Sequence, residues 1–180
     1  MSARWRGLSL LLVVLMAAGQ VYADSFTSEE HKFEMTWPDE LSRSKTEETG
    51  QKILVLKSKG NWFGLSVIYS EGKQLDESEA ALRKWVSRAI SDLSQKFKLK
   101  GHLDTIIQIS KHKAVKTIHV LSPDQQGPTP LGQVFLIANN KYYHISLAMD
   151  PDTMSLSDFS DYFSRIISGF RLKGNFGSDF

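Results

Sequence analysis

The chain has 180 residues, with 22 Lys+Arg against 20 Asp+Glu and no cysteine. That length suits one domain able to bury most of its apolar surface, and the missing cysteines exclude disulfides, thiol chemistry and Cys-based zinc sites. The slight positive excess is not a nucleic-acid footprint, because Arg4 and Arg6 carry all of it and no acid lies near them.

The first residues read as a cleavable signal peptide. Arg4 and Arg6 form a positive start, Leu8 to Ala18 is an apolar run, and Val21 and Ala23 match the small-residue preference of signal peptidase, which predicts cleavage before Asp24. An apolar run of 11 residues is short of the roughly 20 that a spanning helix needs. No cysteine follows the cut, which excludes a bacterial lipoprotein anchor, and no later segment is apolar enough to span. Removing the first 23 of 180 residues leaves 157, with 20 basic and 20 acidic side chains. The expectation is a neutral, soluble domain, periplasmic or secreted.

Residues 24–172 are expected to form that domain, opening with a loose polar entry over Asp24 to His31. Phe33, Met35 and Trp37 alternate with polar residues as in a half-buried strand, which Pro38 stops. Asp39 to Gln51 reads as a loop. Ile53 to Leu56 and Trp62 to Ser70 then form a hairpin about Ser58-Lys59-Gly60-Asn61. The period next switches to helical: Leu82, Trp85, Val86, Ala89, Ile90, Leu93 and Phe97 share one face, predicting a helix over Asp76 to Phe97 with Asp76 and Glu79 as a capping box. Gly101 ends the connection. Leu103 to Ser110 and Ala114 to Leu121 flank a turn at Lys111-His112-Lys113, and a turn-rich loop covers Ser122 to Pro130. Leu131 to Ala138 and Lys141 to Met149 join through Asn139-Asn140, a pair suited to positive φ. Val134 to Ile137 is apolar on both faces, as a central covered strand requires. Leu156, Phe159, Tyr162, Phe163, Ile166 and Ile167 mark a second helix, capped by Ser155 or Ser157 and ended by Gly169. Leu172 to Phe180 reads as a frayed tail, flexible from 173 to 180. The economical fold is α+β: a largely antiparallel sheet of six to seven strands with a helix on each face.

Element order and particular residues carry a resemblance. Phe33-Glu34-Met35-Thr36-Trp37-Pro38 opens the domain, a long helix follows the third strand, and the close is Phe163-Ser164-Arg165-Ile166-Ile167-Ser168-Gly169-Phe170-Arg171. This resembles the PsbP-like fold, the group of PsbP, the Ran-binding Mog proteins and the bacterial DcrB family. The resemblance implies an accessory or binding role and offers no shared catalytic residues. The secretion chaperones of that group are cytoplasmic, and the signal peptide argues against that role.

Motifs for chemistry are sparse. His31, His102 and His112 fall in entry segments or turns and are expected in solvent. His119 and His144 lie on strands, where they could face each other and, with Asp150, form a dispersed polar site, but no HxH, HxxxH or HxxE spacing supports a metal. There is no GxSxG elbow and no phosphate-binding glycine loop. Asp150 and Asp152 read as turn and cap residues, and Glu47 and Glu48 as a solvated pair. Lys98, Lys100, Lys111 and Lys113, with Lys96 and Lys116, are candidates for a basic patch facing a partner or anionic lipid. Trp62 and Phe63, between Gly60 and Gly64, are candidates for an exposed aromatic lip, with core packing the more usual fate of such residues.

The expected function is therefore a non-enzymatic binding or accessory protein of the cell envelope. It needs no cofactor or metal, and its partner is another envelope protein met through the sheet edge or the Trp62 loop. The rivals are a carrier for a small apolar ligand or lipid held between sheet and helix, and an enzyme using His119, His144 and Asp150.

Overall fold

Strands dominate the architecture because most of the chain alternates apolar and polar side chains with period two. The computed structural model describes residues 22–44, 52–58, 61–69, 74–122, 128–150 and 154–174. The predicted signal peptide up to residue 21, the turn at 59–60, Glu47, Glu48, Asp152 and the tail from 175 lie outside them. The elements are β1 (Tyr22–Ser28), β2 (Phe33–Pro38), β3 (Ser42–Arg43), β4 (Lys52–Ser58), β5 (Asn61–Tyr69), α1 (Glu79–Lys96), β6 (Lys98–Ile109), β7 (His112–Ser122), β8 (Thr129–Ala138), β9 (Lys141–Met149), α2 (Leu156–Ser168) and β10 (Phe170–Leu172).

Among the described residues, ten strands form two antiparallel sheets. The larger has seven, in the order β3-β4-β5-β9-β8-β7-β6, and the smaller has three, in the order β1-β2-β10. Two expectations are corrected here. Asp24 to Ser28 is part of strand β1 rather than a loose entry: six residues from Tyr22 to Ser28 pair with Pro38 to Phe33. Leu172 closes strand β10 rather than opening a tail, and the next residue, Lys173, donates its N–H to the carbonyl of Lys32 at 2.9 Å. Both strands flank β2, whose Phe33, Met35 and Trp37 are fully buried. An alternating apolar strand of that kind has partners on both edges, and the partners are more polar in sequence and so less legible.

The helices follow their patterns closely. Ser78 caps α1, not Asp76: its hydroxyl accepts from Ala81 N–H at 3.2 Å, and Asp76 Oδ1 accepts from Ser78 N–H at 2.9 Å. This places one carboxylate and one hydroxyl at the positive helix end. Ser155 caps α2 in the same way, accepting from Asp158 N–H at 3.2 Å. Gly169 ends α2 with right-handed backbone (φ −82). Its lack of a side chain matters for space: an added Cβ would lie 2.2 Å from the carbonyl oxygen of Thr36, and that close approach lets Gly169 O accept from Thr36 N–H at 3.0 Å. Gly101 does not end the connection after α1; it sits inside β6 at φ +78, where the register shifts between Lys100 and His102. The β6–β7 turn is Ser110-Lys111, since Ile109 pairs with His112. Asn139 and Asn140 both have positive φ, 51 and 59, as their hairpin requires.

β8 shows how the core is divided. Its residues from Pro130 to Ala138 are all buried. Val134, Leu136 and Ala138 join the larger apolar cluster with Phe63, Leu65, Phe159, Phe163 and Ile166. Phe135 and Ile137 join a second cluster with Leu82, Val86 and Val115, flanked by Trp85 and Ile90. Alternation along one strand sends these two sets to opposite faces. Gly132 makes room for α2: a Cβ there would lie 2.5 Å from the Phe163 ring.

Candidate functional site

The described residues offer three places to look: a buried polar row, the predicted lysines and aromatics, and the long sheet edge.

The polar row crosses three strands. Thr117 on β7 lies opposite Gln133 on β8, which lies opposite Ser146 on β9. Thr117, Gln133, Ser146 and His119 are the buried polar side chains of the larger sheet among the described residues. His119 Nε2 is 3.0 Å from Thr117 Oγ1, and Gln133 Nε2 is 3.0 Å from His144 Nε2. With the amide donating, the His144 ring proton rests on Nδ1. His144 stacks on Phe135 at 4.7 Å between centroids and meets the Trp85 ring at 6.4 Å. Burial holds its pKa down to about 4, so the ring is neutral near pH 7.

This geometry corrects the dispersed polar site. His119 lies opposite Leu131, and Leu131 opposite Ala148, four residues along β9 from His144. Two strand spacings and four rises put the histidines about 16 Å apart. Asp150, exposed just past β9, is six residues from His144, about 20 Å along an extended chain. His144 is thus out of proton-transfer reach of both His119 and Asp150. Among the described residues no three His, Asp or Glu side chains gather as a metal site would need. Nor are His31 and His112 in open solvent: both are half-buried, and burial lowers the pKa of His31.

Trp62 and Phe63 do not form a lip. Phe63 is fully buried in the larger cluster, while half-buried Trp62 points to the other face and folds over Gly64, whose added Cβ would meet its ring at 2.8 Å. The lysines also divide. Lys98 and Lys100 are exposed at the start of β6, and Lys111 and Lys113 are exposed at the far end of the β6–β7 hairpin. A strand of 12 residues separates these pairs by roughly 30 Å. Lys113 is bound to Glu79 at 2.8 Å, and Glu79 also takes Arg83 at 2.9 Å.

The two edges of the seven-stranded sheet differ greatly. One is β3, only two residues long. The other is β6, 12 residues long and, among the described residues, paired with β7 alone. Exposed edges are normally blunted by charge, proline, bulges or shortness. Lys98, Lys100 and the Gly101 bulge blunt the start of β6, but Leu103 to Ile109 carries a single charge, Asp104. Leu103 is 57 % exposed and Ile106 is 38 % exposed, with Phe97 (38 %) just upstream. The fourth large apolar side chain left exposed among the described residues is Leu156. Each face of this edge has a groove. One of about 290 Å³ is lined by Val86, Ile90, Arg83, Asp104 and Val115. The other, of about 230 Å³, is bounded by Ile107 and Ile109 on β6 and by Ser164 and Ser168 on α2.

Sequence reading named the sheet edge without locating it, and missed Thr117, Gln133 and Ser146. Period two places Val115, Thr117 and His119 on one face, so the β7 member of the row was in reach. The alignment with Gln133 depends on strand order.

No protein-family profile matches the chain, and no curated protein matches it. Solved structures do. Cyanobacterial PsbP (CyanoP) from Synechocystis sp. PCC 6803 is 9 % identical, aligned over 87 % of this chain and 95 % of its own, with a TM-score of 0.57. A protein from Bacteroides thetaiotaomicron is 11 % identical over 87 % of this chain and 50 % of its own, with a TM-score of 0.58. A point mutant of Mog1 is 8 % identical over 84 % of this chain and 96 % of its own, with a TM-score of 0.52. At such low identity the likeness is one of architecture, and together with the antiparallel sheet and its two helices it gives this chain the PsbP-like fold.

Proposed function

We propose that this protein is an exported, non-enzymatic accessory protein of the cell envelope that binds another protein along β6. The observation that carries the reading is the edge itself: 12 residues long, with Leu103 and Ile106 exposed on opposite faces, and with Asp104 the one charge from Leu103 to Ile109. Such a strand accepts an extended segment by β-augmentation, with backbone hydrogen bonds for affinity and side-chain pockets for specificity. The separate apolar clusters of α1 and α2 support a sandwich with one helix on each sheet face, which leaves the edge strand as the surface open to a partner.

Among the described residues no helix is long and apolar enough to cross a membrane. Export rests on the residues before Asp24 and is tested by fractionation with intact-mass measurement: the periplasmic species should begin at Asp24. The contact is tested with a photo-crosslinking residue at Leu103, and at Leu156 as an exposed control on α2. A discrete adduct from position 103 that Ile106→Lys abolishes supports the proposal. Equal adducts from both positions, or none, reject it.

A further inference from the structure

Lys116 breaks the pattern of its strand. On β7 it shares a face with Ala114 and Ile118, both buried in the larger apolar cluster. A lysine there lays its stem along an apolar face and brings its exposed ammonium to the groove, where it would ordinarily find a carboxylate. Among the described residues it finds none: its ammonium donates to the hydroxyl of Ser164 on α2 at 2.9 Å. Arg171 lines the same groove of about 230 Å³. Its NH1 donates to the carbonyl oxygens of Ser168 and Phe170, at 2.5 and 3.0 Å, and no carboxylate pairs with it among the described residues. No Asp or Glu lines this groove; its polar groups include two cations and the hydroxyls of Ser164 and Ser168, and Ile107 and Ile109 supply apolar wall from β6.

We propose that this groove binds an organic anion: a carboxylate or phosphate monoester held by Lys116 and Arg171, with an apolar chain lying against Ile107 and Ile109. Two cations with no carboxylate in the groove lining suit such a head by charge-assisted hydrogen bonding; the hydroxyls of Ser164 and Ser168 already donate to the carbonyls of Ser160 and Arg165, so the cations are the donors. The volume equals roughly eight water molecules, enough for a charged head and the first few carbons but not for a whole lipid. The site does not depend on the β6 partner proposed above.

The test is an amide-resonance titration of the full chain with hexanoate, hexyl phosphate and inorganic phosphate, beside flotation with phosphatidylglycerol or phosphatidylcholine vesicles. Hexyl phosphate or hexanoate should shift the amides of Ile107, Ile109, Lys116 and Ser168. Lys116→Gln with Arg171→Gln should weaken binding at least roughly tenfold per cation removed, and Lys116→Arg with Arg171→Lys should restore most of it. Saturable binding of the free amphiphiles identifies a soluble ligand. Flotation with phosphatidylglycerol alone, lost in the Gln variant, identifies a membrane headgroup. Inorganic phosphate binding as tightly as hexyl phosphate, affinity unchanged in the Gln variant while the Arg/Lys variant confirms folding, or no response in either arm overturns the proposal.

Discussion

Protonating His144 should destabilise the domain from within. Its folded pKa, about 4, lies below the ordinary value of 6.5 because burial between Phe135 and Trp85 penalises the charged ring. Between those values the unfolded chain binds more protons than the folded one, so stability falls as pH falls. The stabilisation relative to a protonated ring is complete above about pH 6.5 and is lost progressively towards pH 4. The gap between 6.5 and about 4 corresponds to about 3 kcal/mol in total, most of which is gone by pH 4.5. That is a large fraction of a typical domain's stability. The check is urea unfolding of the parent and of His144→Gln across pH 4.5 to 7.5. Glutamine keeps an acceptor for the Gln133 amide and does not titrate, and carboxylates and His31 contribute alike to both proteins. The stability gap should therefore shift in the variant's favour by about 2 to 3 kcal/mol between pH 7 and pH 4.5. A gap that moves by less than about 1 kcal/mol refutes the argument that this imidazole is held neutral by burial.

Gly132→Ala should cost about 2 to 3 kcal/mol in urea, since its Cβ would meet the enclosed Phe163 ring at 2.5 Å. Gly169→Ala should be at least as damaging, because the obstacle is the Thr36 carbonyl of β2 rather than a movable side chain; protection of the Thr36 amide from hydrogen exchange should fall with it. Tyr143→Phe removes the hydroxyl that donates to the His31 carbonyl at 2.8 Å and should lower stability by about 1 kcal/mol, read from the urea midpoint. Ser155→Ala, which deletes the α2 cap, should cost about 1 kcal/mol in the same assay.

Local patterns read directly from the chain were dependable where one element's own chemistry settles it. The apolar face of α1, the Ser155 cap, the paired asparagines and the twofold-apolar β8 depend on neighbours within a few residues. Polar segments that become strands only because a partner needs them, β1 and β10, were misread. Of the two uses open to Trp62 and Phe63, lip or core, the strand itself decides: adjacent residues on a strand face opposite ways, so the two cannot form one surface. The sequence by itself determined a cysteine-free α+β domain with two amphipathic helices and no gathered catalytic motif. Only the tertiary structure decided strand order, and strand order decides what meets what. It put β6 at an edge with Leu103 and Ile106 exposed, aligned Thr117 with Gln133, kept His119 far from His144, and set Lys116 beside α2 without a carboxylate. Those juxtapositions join residues tens of positions apart, and pairing between distant strands leaves no trace in local periodicity.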